Sequence, residues 1–379
     1  MLHCVDLPED VLVKILCRLP VKYLIRFTCV SKRWRSVITS DPQFAKSHLQ
    51  LALQQGTLRH RVLTSAYYFY FELATPYHDV PTRFHSFEDN SSVRTLTYPT
   101  EENNYPHILV SCNGLVLLAE PTTSQFNLYI WNPTTRFSRK IPHLPESDLF
   151  SISLGHVSAT DDYKVVLIPL SGSSGHVYSL REKIWKVVEV PPSHSWRSRV
   201  GTYSNGAIHW VNYRMPENSE RVIYAFDLAK EEFGKVALPD SFQNGYDMNG
   251  RTIRTQVHLG GCLCVSFNAD HGLIEFPIEF WVMTEYGVPE SWVKLFQFEV
   301  RDLRKVSAHS DYGCSPIFVT EGGTVLMKFA GKMEFFKIER SKEGKLVCSC
   351  RYRLEEEVHG CMYVAQATVY DETLVSIPE

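Results

Sequence analysis

The sequence lacks the motifs that identify the common enzyme and metal-binding classes. Its 379 residues contain no phosphate-binding G-x-x-x-x-G-K-[ST] loop, no H-E-x-x-H zinc pair and no glycine fingerprint for a dinucleotide. There is no C-x-x-C pair, and Cys262-x-Cys264 and Cys348-x-Cys350 have no matching His or Cys nearby that would complete a zinc site. The 15 histidines are scattered without ligand spacing. We therefore expect no catalytic residue, no metal and no cofactor.

The sequence also lacks a long apolar run. None approaches the roughly 18 residues that a membrane-spanning helix needs, and charged residues interrupt the apolar ones throughout the first thirty positions, unlike a signal peptide. We therefore expect no membrane partner. The 10 cysteines are then expected to be reduced thiols of a protein in the cytoplasm, the nucleus or both.

A strong excess of one charge is missing as well. The formal net charge is −3, and basic residues predominate in positions 1–50 whereas the remainder is acidic. Lys32, Arg33 and Arg35 around Trp34 allow a nucleic-acid-binding helix as an alternative, but we interpret them as the solvated face of a small helix. An acidic body argues against binding along a phosphate backbone, so we expect no nucleic-acid partner.

What the sequence does contain is a helical stretch over about positions 7–49, around which the rest of the chain is organised. Apolar residues recur at helical spacing over positions 9–19 and again over 21–27, which predicts two short helices, each opened by a proline. Ser31 is a predicted N-cap for a third helix, and Asp41-Pro42 predicts the start of a fourth that ends near Gly56. So few residues cannot bury both faces of three short helices, which predicts a docking module with exposed apolar side chains.

After this stretch the sequence changes to short β-rich runs separated by turn residues. A unit with a period near fifty residues recurs, and its copies begin with a glycine-led apolar strand, as in Asn113-Gly114-LVLLA and Asn205-Gly206-AIHWV. Aromatic residues recur in the later strands of the units, in the pairs Trp131 with Phe137, Tyr178 with Trp185, Phe226 with Phe233 and Trp281 with Trp292. Such a period, with three or four strands per unit, predicts a β-propeller.

The predicted propeller has about six blades, with five or seven as the alternatives. Weaker first and last units around Phe84 and Phe336 extend the repeat, and the run from Tyr363 to Ile377 is predicted to add a strand to the first blade. One blade cannot bury both its faces, so neighbouring blades are expected to share an apolar layer. The predicted fold class is α+β multidomain, with a small three-helix module at 1–46, a helical linker at 47–60 and an all-β propeller at 61–379.

The helical stretch resembles an F-box over its whole length. The resemblance rests on Leu7-Pro8, on Ile15-Leu16, on Arg18-Leu19-Pro20 and on the Cys-Val-x-Lys-x-Trp stretch from Cys29 to Trp34. F-boxes dock onto a Skp-type adaptor, which joins them to a cullin and a RING protein in a ubiquitin ligase. The resemblance implies adaptor contacts for Leu7, Pro8, Asp10, Ile15, Leu16, Leu19, Pro20, Leu24, Val30 and Trp34. For each apolar residue of this set, a place in the internal core of the helices is the alternative.

The body resembles the F-box-associated, kelch-like region of a large plant F-box family. The resemblance rests on ILVSCNGLVLLAE, LYIWNPTTRFSRKIPHLP, DYKVV and HVYSLREKIWKVVEVPP, in this order between about residues 105 and 300. Members of that family serve as substrate receptors. Together the two resemblances imply the substrate-recognition subunit of an SCF-type (Skp-cullin-F-box) E3 ubiquitin ligase. Such a subunit recruits a target protein, here unidentified, for ubiquitination and proteasomal degradation, and is not itself an enzyme.

Contacts with the target are expected in loops on one rim of the propeller. Tryptophan and arginine dominate interface hot spots, which singles out a stretch with His194, Trp196, Arg197 and Arg199 and a second loop with Tyr246. For Trp196, filling a gap between two blades is the alternative. For the whole chain, the alternative is a propeller enzyme or a small-molecule sensor with an N-terminal interaction module.

Overall fold

The structure is a computed structural model, and it describes residues 8–70, 75–76, 83–87, 94–97, 106–122, 126–142, 150–169, 173–191, 200–211, 222–240, 251–257, 261–269, 278–298, 314–319, 325–329, 334–340, 346–353 and 362–377. Its contacts divide the chain into two compact units. The first comprises Met1–Leu63, Phe84–His143 and Thr368–Glu379, and the second comprises Thr64–Arg83 and Leu144–Ala367.

Four helices open the chain where the sequence predicts them. They are α1 (Glu9–Leu16), α2 (Val21–Phe27), α3 (Lys32–Ser40) and α4 (Pro42–Gln54). Ser31 caps α3, since its Oγ accepts a hydrogen bond from the backbone N–H of Trp34 at 3.1 Å. The carboxylate of Asp41 caps α4 by accepting from the N–H groups of Gln43 and Phe44 at 2.9 and 3.2 Å. Both predicted helix starts are therefore confirmed.

The four helices enclose a small apolar core, which we call the helical core. Its buried members come from all four helices and from one residue near the other end of the sequence: Leu12, Leu16, Val21, Leu24, Val37, Ile38, Phe44, Ala45 and Leu374. Phe27 and Trp34 pack edge to face beside it, with ring centroids 5.4 Å apart. His48 of α4 donates from Nε2 to the Leu19 carbonyl at 2.8 Å, and burial lowers the pKa of this histidine. Helix α4 thus packs with α1–α3, and the domain boundaries at 46 and 60 stay predictions.

A strand from late in the sequence pairs with the first strand of the chain. The first sheet has the order β2-β1-β3-β4, with its strands at β1 (His60–Tyr70), β2 (Thr75–Pro76), β3 (Arg83–Phe87) and β4 (Arg94–Leu96). The last strand, β25 (Met362–Asp371), pairs with β1. The predicted C-terminal strand is therefore present, but it ends at Asp371, and residues 372–377 continue in neither helix nor strand.

The other five sheets each have four antiparallel strands that follow one another along the chain. The second sheet contains β5 (His107–Cys112), β6 (Leu115–Pro121), β7 (Phe126–Trp131) and β8 (Ser138–Lys140). The third contains β9 (Phe150–Val157), β10 (Asp162–Pro169), β11 (Ser174–Ser179) and β12 (Ile184–Glu189). The fourth contains β13 (Thr202–Ser204), β14 (Ala207–Val211), β15 (Val222–Asp227) and β16 (Glu232–Ala237). The fifth contains β17 (Arg251–Val257), β18 (Leu263–Ala269), β19 (Ile278–Met283) and β20 (Trp292–Phe298), with a short 3-10 helix at Pro289–Ser291. The sixth contains β21 (Cys314–Val319), β22 (Val325–Phe329), β23 (Glu334–Arg340) and β24 (Leu346–Arg353). The six sheets among the described residues agree with the predicted number of about six repeat units.

The glycine-led strands of the predicted repeat are the second strands of their sheets, β6, β14, β18 and β22. Before β6, Asn113 and Gly114 have φ of +51° and +85°, and before β14, Asn205 and Gly206 have φ of +50° and +75°. Positive φ at both central residues is the geometry of a two-residue hairpin turn, and Asn-Gly is the pair that adopts it most readily. The turn predictions at these two places are confirmed.

The aromatic pairs of the repeat divide into two groups. Tyr178 lies directly opposite Trp185, and Phe226 opposite Phe233, with ring centroids 4.9 Å apart in both pairs. The members of the other two pairs do not lie directly opposite each other. Ser138 lies opposite Trp131, whose ring packs at 5.6 Å against that of Phe84. Lys294 lies opposite Trp281 and Met283 opposite Trp292, and the register shifts between Phe280 and Trp281.

Within the second unit, neighbouring sheets share apolar layers as expected. One cluster joins the third sheet to the fourth, with Val166 and Ile168 against Ile208 and Phe226. A second joins the fourth sheet to the fifth and includes the buried Trp292. Polar contacts reinforce the first of these layers. The Trp210 Nε1 donates to Ser151 Oγ at 2.8 Å, and the buried Lys164 donates to the Leu228 carbonyl and to Glu231 Oε1, both at 2.7 Å. The charge of Lys164 is thus matched by a carboxylate, as burial requires.

Candidate docking surface

Helices α1–α3 expose large apolar side chains although their own core is filled. Ile15 is 45% exposed, Tyr23 45% and Val30 61%. Ile15 lies in the last turn of α1, Tyr23 in the first turn of α2, and Val30 in the turn between α2 and α3. Exposed apolar side chains gathered in so short a stretch are typical of a protein-binding surface. We call this stretch, with the two prolines that open α1 and α2, the helical docking surface.

The structure separates the predicted adaptor contacts by exposure. Five are exposed and available to a partner: Pro8, Asp10, Ile15, Pro20 and Val30. Leu19 and Trp34 are half-buried, and both pack against the helical core. Leu16 and Leu24 have no exposed surface and belong to the helical core, which is the alternative that the sequence left open. Leu7 lies outside the described residues.

The predicted contacts include one acidic residue, Asp10, within a surface that also carries basic side chains. Asp10 pairs with Lys14 at 3.7 Å, and Glu9 pairs with Arg33 at 3.6 Å. Arg18 donates to the Lys14 carbonyl at 2.8 Å. These pairs are exposed, and exposed pairs contribute at most about 1 kcal/mol. Their charges remain accessible, so they can tune the approach of a charged partner.

Sequence reasoning missed two features of this region. Tyr23 was not among the predicted contacts, although an aromatic residue on the polar side of α2 is itself a signal for an interface. Leu374 was also missed as a member of the helical core. No local pattern could have placed it there, because it lies more than 300 positions away from the helices.

The predicted target contacts cannot be placed against this surface. His194, Trp196, Arg197, Arg199 and Tyr246 all lie outside the described residues. They stay predictions.

The described part of the chain includes a buried histidine but no group of side chains suited to a metal ion. No group of three or more His, Cys, Asp or Glu side chains there could hold a metal ion. His209 is fully buried; its Nδ1 donates to the Thr202 carbonyl at 3.1 Å and its Nε2 accepts from the Tyr286 hydroxyl at 2.7 Å. Burial lowers the pKa of His209 to about 4. This histidine is therefore uncharged at neutral pH and packed inside the fold.

Two of the described cysteines are unsuited to nucleophilic chemistry. Cys17, Cys29, Cys112, Cys262 and Cys264 are free thiols. Burial raises the pKa of Cys264 to about 12 and also raises the pKa of Cys112. A thiol that stays protonated at neutral pH is a poor nucleophile and a poor metal ligand.

Among the helices of the described residues, none has the length and the apolar character that a membrane-spanning helix needs.

Comparison with known families gives two matches along the chain. Residues 5–46 match the family described as the F-box domain. Residues 78–377 match the family described as the F-box associated beta propeller domain. The second match covers most of the chain.

Comparison with individual proteins gives relatives that match along nearly the whole sequence. An F-box/kelch-repeat protein of Arabidopsis thaliana is 28% identical over 386 residues, which cover 98% of this chain and 96% of the relative. The F-box protein CPR1 of Arabidopsis thaliana is 29% identical over 378 residues, which cover 90% of this chain and 84% of the relative. Among solved structures, virginiamycin B lyase from Staphylococcus aureus covers 82% of this chain and 99% of its own, at 10% identity and a TM-score of 0.42.

Proposed function

Because the chain belongs to the F-box proteins that carry an F-box-associated β-propeller domain, we propose that it is the substrate-recognition subunit of an SCF-type ubiquitin ligase. The helical module holds a Skp-type adaptor, and through it a cullin and a RING protein. The propeller holds a target protein. The assembly works in the cytoplasm, the nucleus or both.

The observation that carries this proposal is the exposure of Ile15 and Val30 beside a helical core that is already complete. In an isolated small module, exposed apolar side chains of this size would have moved inward if the core had room for them. A partner that covers them would stabilise this arrangement, and covering the exposed part of each side chain would contribute about 1–2 kcal/mol, since roughly half of its surface is already buried. A Skp-type adaptor is the partner that an F-box implies.

The proposed subunit carries out no bond chemistry itself. Ubiquitin transfer forms an amide bond between a target lysine Nζ and the C-terminal carbonyl of ubiquitin, and it releases the thiol of the carrier enzyme and a proton from the lysine. The subunit accelerates this step by holding the lysine near the charged carrier enzyme, which replaces a bimolecular encounter with a high effective concentration.

Adaptor binding can be tested with three matched variants of the full chain. Ile15→Asp and Val30→Asp place a charge within the helical docking surface, whereas Leu53→Asp places the same charge on an apolar α4 residue that is 57% exposed and outside the predicted contacts. All three positions are exposed, so the helices should stay folded by circular dichroism. We expect Ile15→Asp and Val30→Asp each to weaken binding of a purified Skp-type adaptor at least about tenfold, as hot-spot residues do. Leu53→Asp should leave the affinity within about twofold.

Calorimetry with several Skp-type adaptors gives the readout. The proposal fails if the wild-type chain binds none of them. The assignment of the surface fails if Leu53→Asp weakens binding as strongly as the other two changes.

A further inference from the structure

Residues 372–377, which we call the tail segment, are buried although they form neither helix nor strand. Glu372, Thr373, Leu374, Val375 and Ile377 are all between 0% and 7% exposed. A buried segment without regular structure must find partners for its backbone groups elsewhere, since unpaired buried groups are costly. The tail segment finds them within the first unit, on the β5–β8 sheet and next to α4.

On one side the tail segment contributes to the helical core. The Leu374 side chain packs in the same cluster as Leu12 and Leu16 of α1 and Phe44 of α4. It is 4% exposed, so nearly all of its apolar surface is buried. The helices therefore depend on a residue of the tail segment for part of their packing.

On the other side a single asparagine of the β5–β8 sheet binds the tail segment. Asn132 follows β7 and is fully buried, and its Nδ2 donates to the carbonyls of Thr373 and Val375 at 3.2 and 2.8 Å. Its Oδ1 accepts from the N–H groups of Thr134 and Thr135 at 2.8 and 3.4 Å. One side chain thus shapes its own turn with its acceptor and holds the tail segment with its donors.

Two further hydrogen bonds attach the tail segment to the same sheet, one at Thr373 and one at Ile377. The Thr373 hydroxyl donates to the Asn113 carbonyl at 3.0 Å, and Arg139 Nη2 donates to the Ile377 carbonyl at 3.3 Å. These contacts come from the turn before β6 and from β8. The tail segment is therefore attached across the whole β5–β8 sheet.

The chain that leaves α4 is attached to the start of the tail segment. The Glu372 N–H donates to the Arg59 carbonyl at 2.9 Å, and the buried Arg61 lies 3.7 Å from the Glu372 carboxylate. Arg61 also donates from Nε to Ser86 Oγ at 2.7 Å. His60 Nδ1 lies 2.7 Å from Asp371 Oδ1. Breaking a buried charge pair is strongly destabilising, so this network favours a single arrangement of the strands around it.

From these contacts we propose that the tail segment is a brace that fixes the helical module on the β5–β8 sheet, and that Asn132 and Leu374 are positioning residues for ubiquitin transfer. The inference rests on the proposed function, because a fixed orientation matters to transfer only if the helices carry the adaptor. A brace restricts which lysines can reach the charged carrier enzyme. With a loose connection, lysines at more positions would reach the charged carrier enzyme, each at a lower effective concentration.

The variant Asn132→Asp breaks the brace with the least disturbance. It has the same shape, it keeps the acceptor for Thr134 and Thr135, and it replaces the amide donor with an oxygen that faces two carbonyl oxygens. Asn205→Asp is the matched control, since Asn205 also lies in a turn between two consecutive strands but is exposed, and its Nδ2 donates to the neighbouring Ser204 Oγ at 2.9 Å. A second pair of variants tests the packing in the helical core. Leu374→Ser removes the apolar side chain from this core, and Leu374→Met, its control, keeps an apolar side chain of similar volume there.

Hydrogen exchange of the full chain tests the brace without any partner. We expect Asn132→Asp to lower the protection of the tail segment about 30- to 100-fold, as the loss of two buried hydrogen bonds implies, and to lower that of α4 as well. Asn205→Asp should leave both unchanged. Equal protection in wild type and Asn132→Asp would overturn the brace, whatever the adaptor does.

A reconstituted ligase tests the positioning role without a known target. With adaptor, cullin, RING protein and charged carrier enzyme, mass spectrometry maps the lysines of this chain that receive ubiquitin. We expect a restricted set for wild type, Asn205→Asp and Leu374→Met, and a broader set for Asn132→Asp and Leu374→Ser. The Asn132→Asp change should alter adaptor affinity less than threefold, which separates positioning from docking. An unchanged set of lysines in Asn132→Asp, with adaptor affinity retained, would overturn the positioning role.

Discussion

Two glycines in equivalent turns should respond very differently to the same substitution. Gly114 and Gly206 each follow an asparagine, each opens the second strand of its sheet, and their φ angles are +85° and +75°. At Gly206 an added Cβ would meet nothing within 4 Å. At Gly114 it would overlap Thr373 Oγ1 and lie 2.7 Å from the Asp371 carbonyl oxygen. The comparison of Gly114→Ala with Gly206→Ala therefore isolates the contact with the tail segment.

The magnitude follows from what each change disturbs. Both variants put a side chain at left-handed φ, which costs about 1–2 kcal/mol, and Gly206→Ala should cost no more than this. In Gly114→Ala the backbone at Asp371 must also move, because a carbonyl oxygen cannot rotate away as a flexible side chain can. Moving the tail segment weakens the hydrogen bonds of Asn132, each of which contributes about 0.5–1.5 kcal/mol to stability. It also exposes part of the Leu374 side chain, and losing the packing of that side chain completely would cost about 2–5 kcal/mol. We expect Gly114→Ala to be more destabilising by about 3 kcal/mol.

Native-state hydrogen exchange is the suitable assay, since a chain with two compact units need not unfold in a single step. The opening free energies of amides in β6 and β7 report on Gly114→Ala, and those of amides in β14 and β15 report on Gly206→Ala. Losses that agree within about 0.5 kcal/mol would refute the reasoning, because they would mean that the tail segment does not constrain Gly114.

Three further predictions concern local interactions. The buried His209, with its pKa of about 4, stays mostly neutral in the folded chain at pH 4.5, whereas in the unfolded chain it gains a proton below about pH 6.5. The free energy of unfolding of wild type should therefore fall by on the order of 2 kcal/mol between pH 7 and pH 4.5, a loss that His209→Gln does not share. Urea denaturation at each pH measures the difference. A pH dependence shared by both chains would contradict this. Tyr178→Leu and Trp185→Leu should show a coupling of about 0.5–1.5 kcal/mol in a double-mutant cycle, because the two rings pack 4.9 Å apart, and additive losses would contradict the contact. Ser31→Ala should cost about 1 kcal/mol in exchange protection of α3, whereas Ser31→Asp should retain the cap and its stability.

The sequence could predict those parts of the fold that depend on neighbouring residues. Ser31 and Asp41 mark helix starts because their side chains bond to N–H groups two or three positions away. Asn113 and Asn205 mark hairpins because positive φ is a property of the turn itself. The period of the units could be predicted for the same reason, because five of the six sheets in the described residues are built from strands that are consecutive in the chain.

The candidate site was predicted less completely, because exposure depends on packing between helices. Ile15 and Leu16 are adjacent and equally apolar, yet one is 45% exposed and the other is fully buried. Leu12 and Leu16 are four positions apart, so they lie on the same face of α1, which indicates that this face is buried. The F-box resemblance rests on Ile15 and Leu16 together and does not distinguish the two. Only the arrangement of α2 to α4 around α1 decides between them.

Two other features were outside the reach of sequence reasoning for different physical reasons. The register shifts between Phe280 and Trp281, so that Trp281 lies opposite Lys294 rather than Leu295, and no residue type there signals an irregular pairing. The hydrogen bonds of Asn132 join it to carbonyls 241 and 243 positions away. The tripeptide Trp131-Asn132-Pro133 predicts a turn, but nothing in it indicates a distant backbone.

The place of Leu374 in the helical core has a consequence for how the protein is made. Synthesis proceeds from the N-terminus at about 5–20 residues per second, so helices α1–α4 leave the ribosome about 15–60 seconds before Leu374 does. During that interval the core of the module has an open apolar slot, which is the kind of surface that chaperones bind. A nascent chain stalled partway through the propeller would carry the proposed docking residues on an incompletely packed module. Because Leu374 packs in the helical core, full packing of the helical module depends on synthesis of nearly the whole propeller domain.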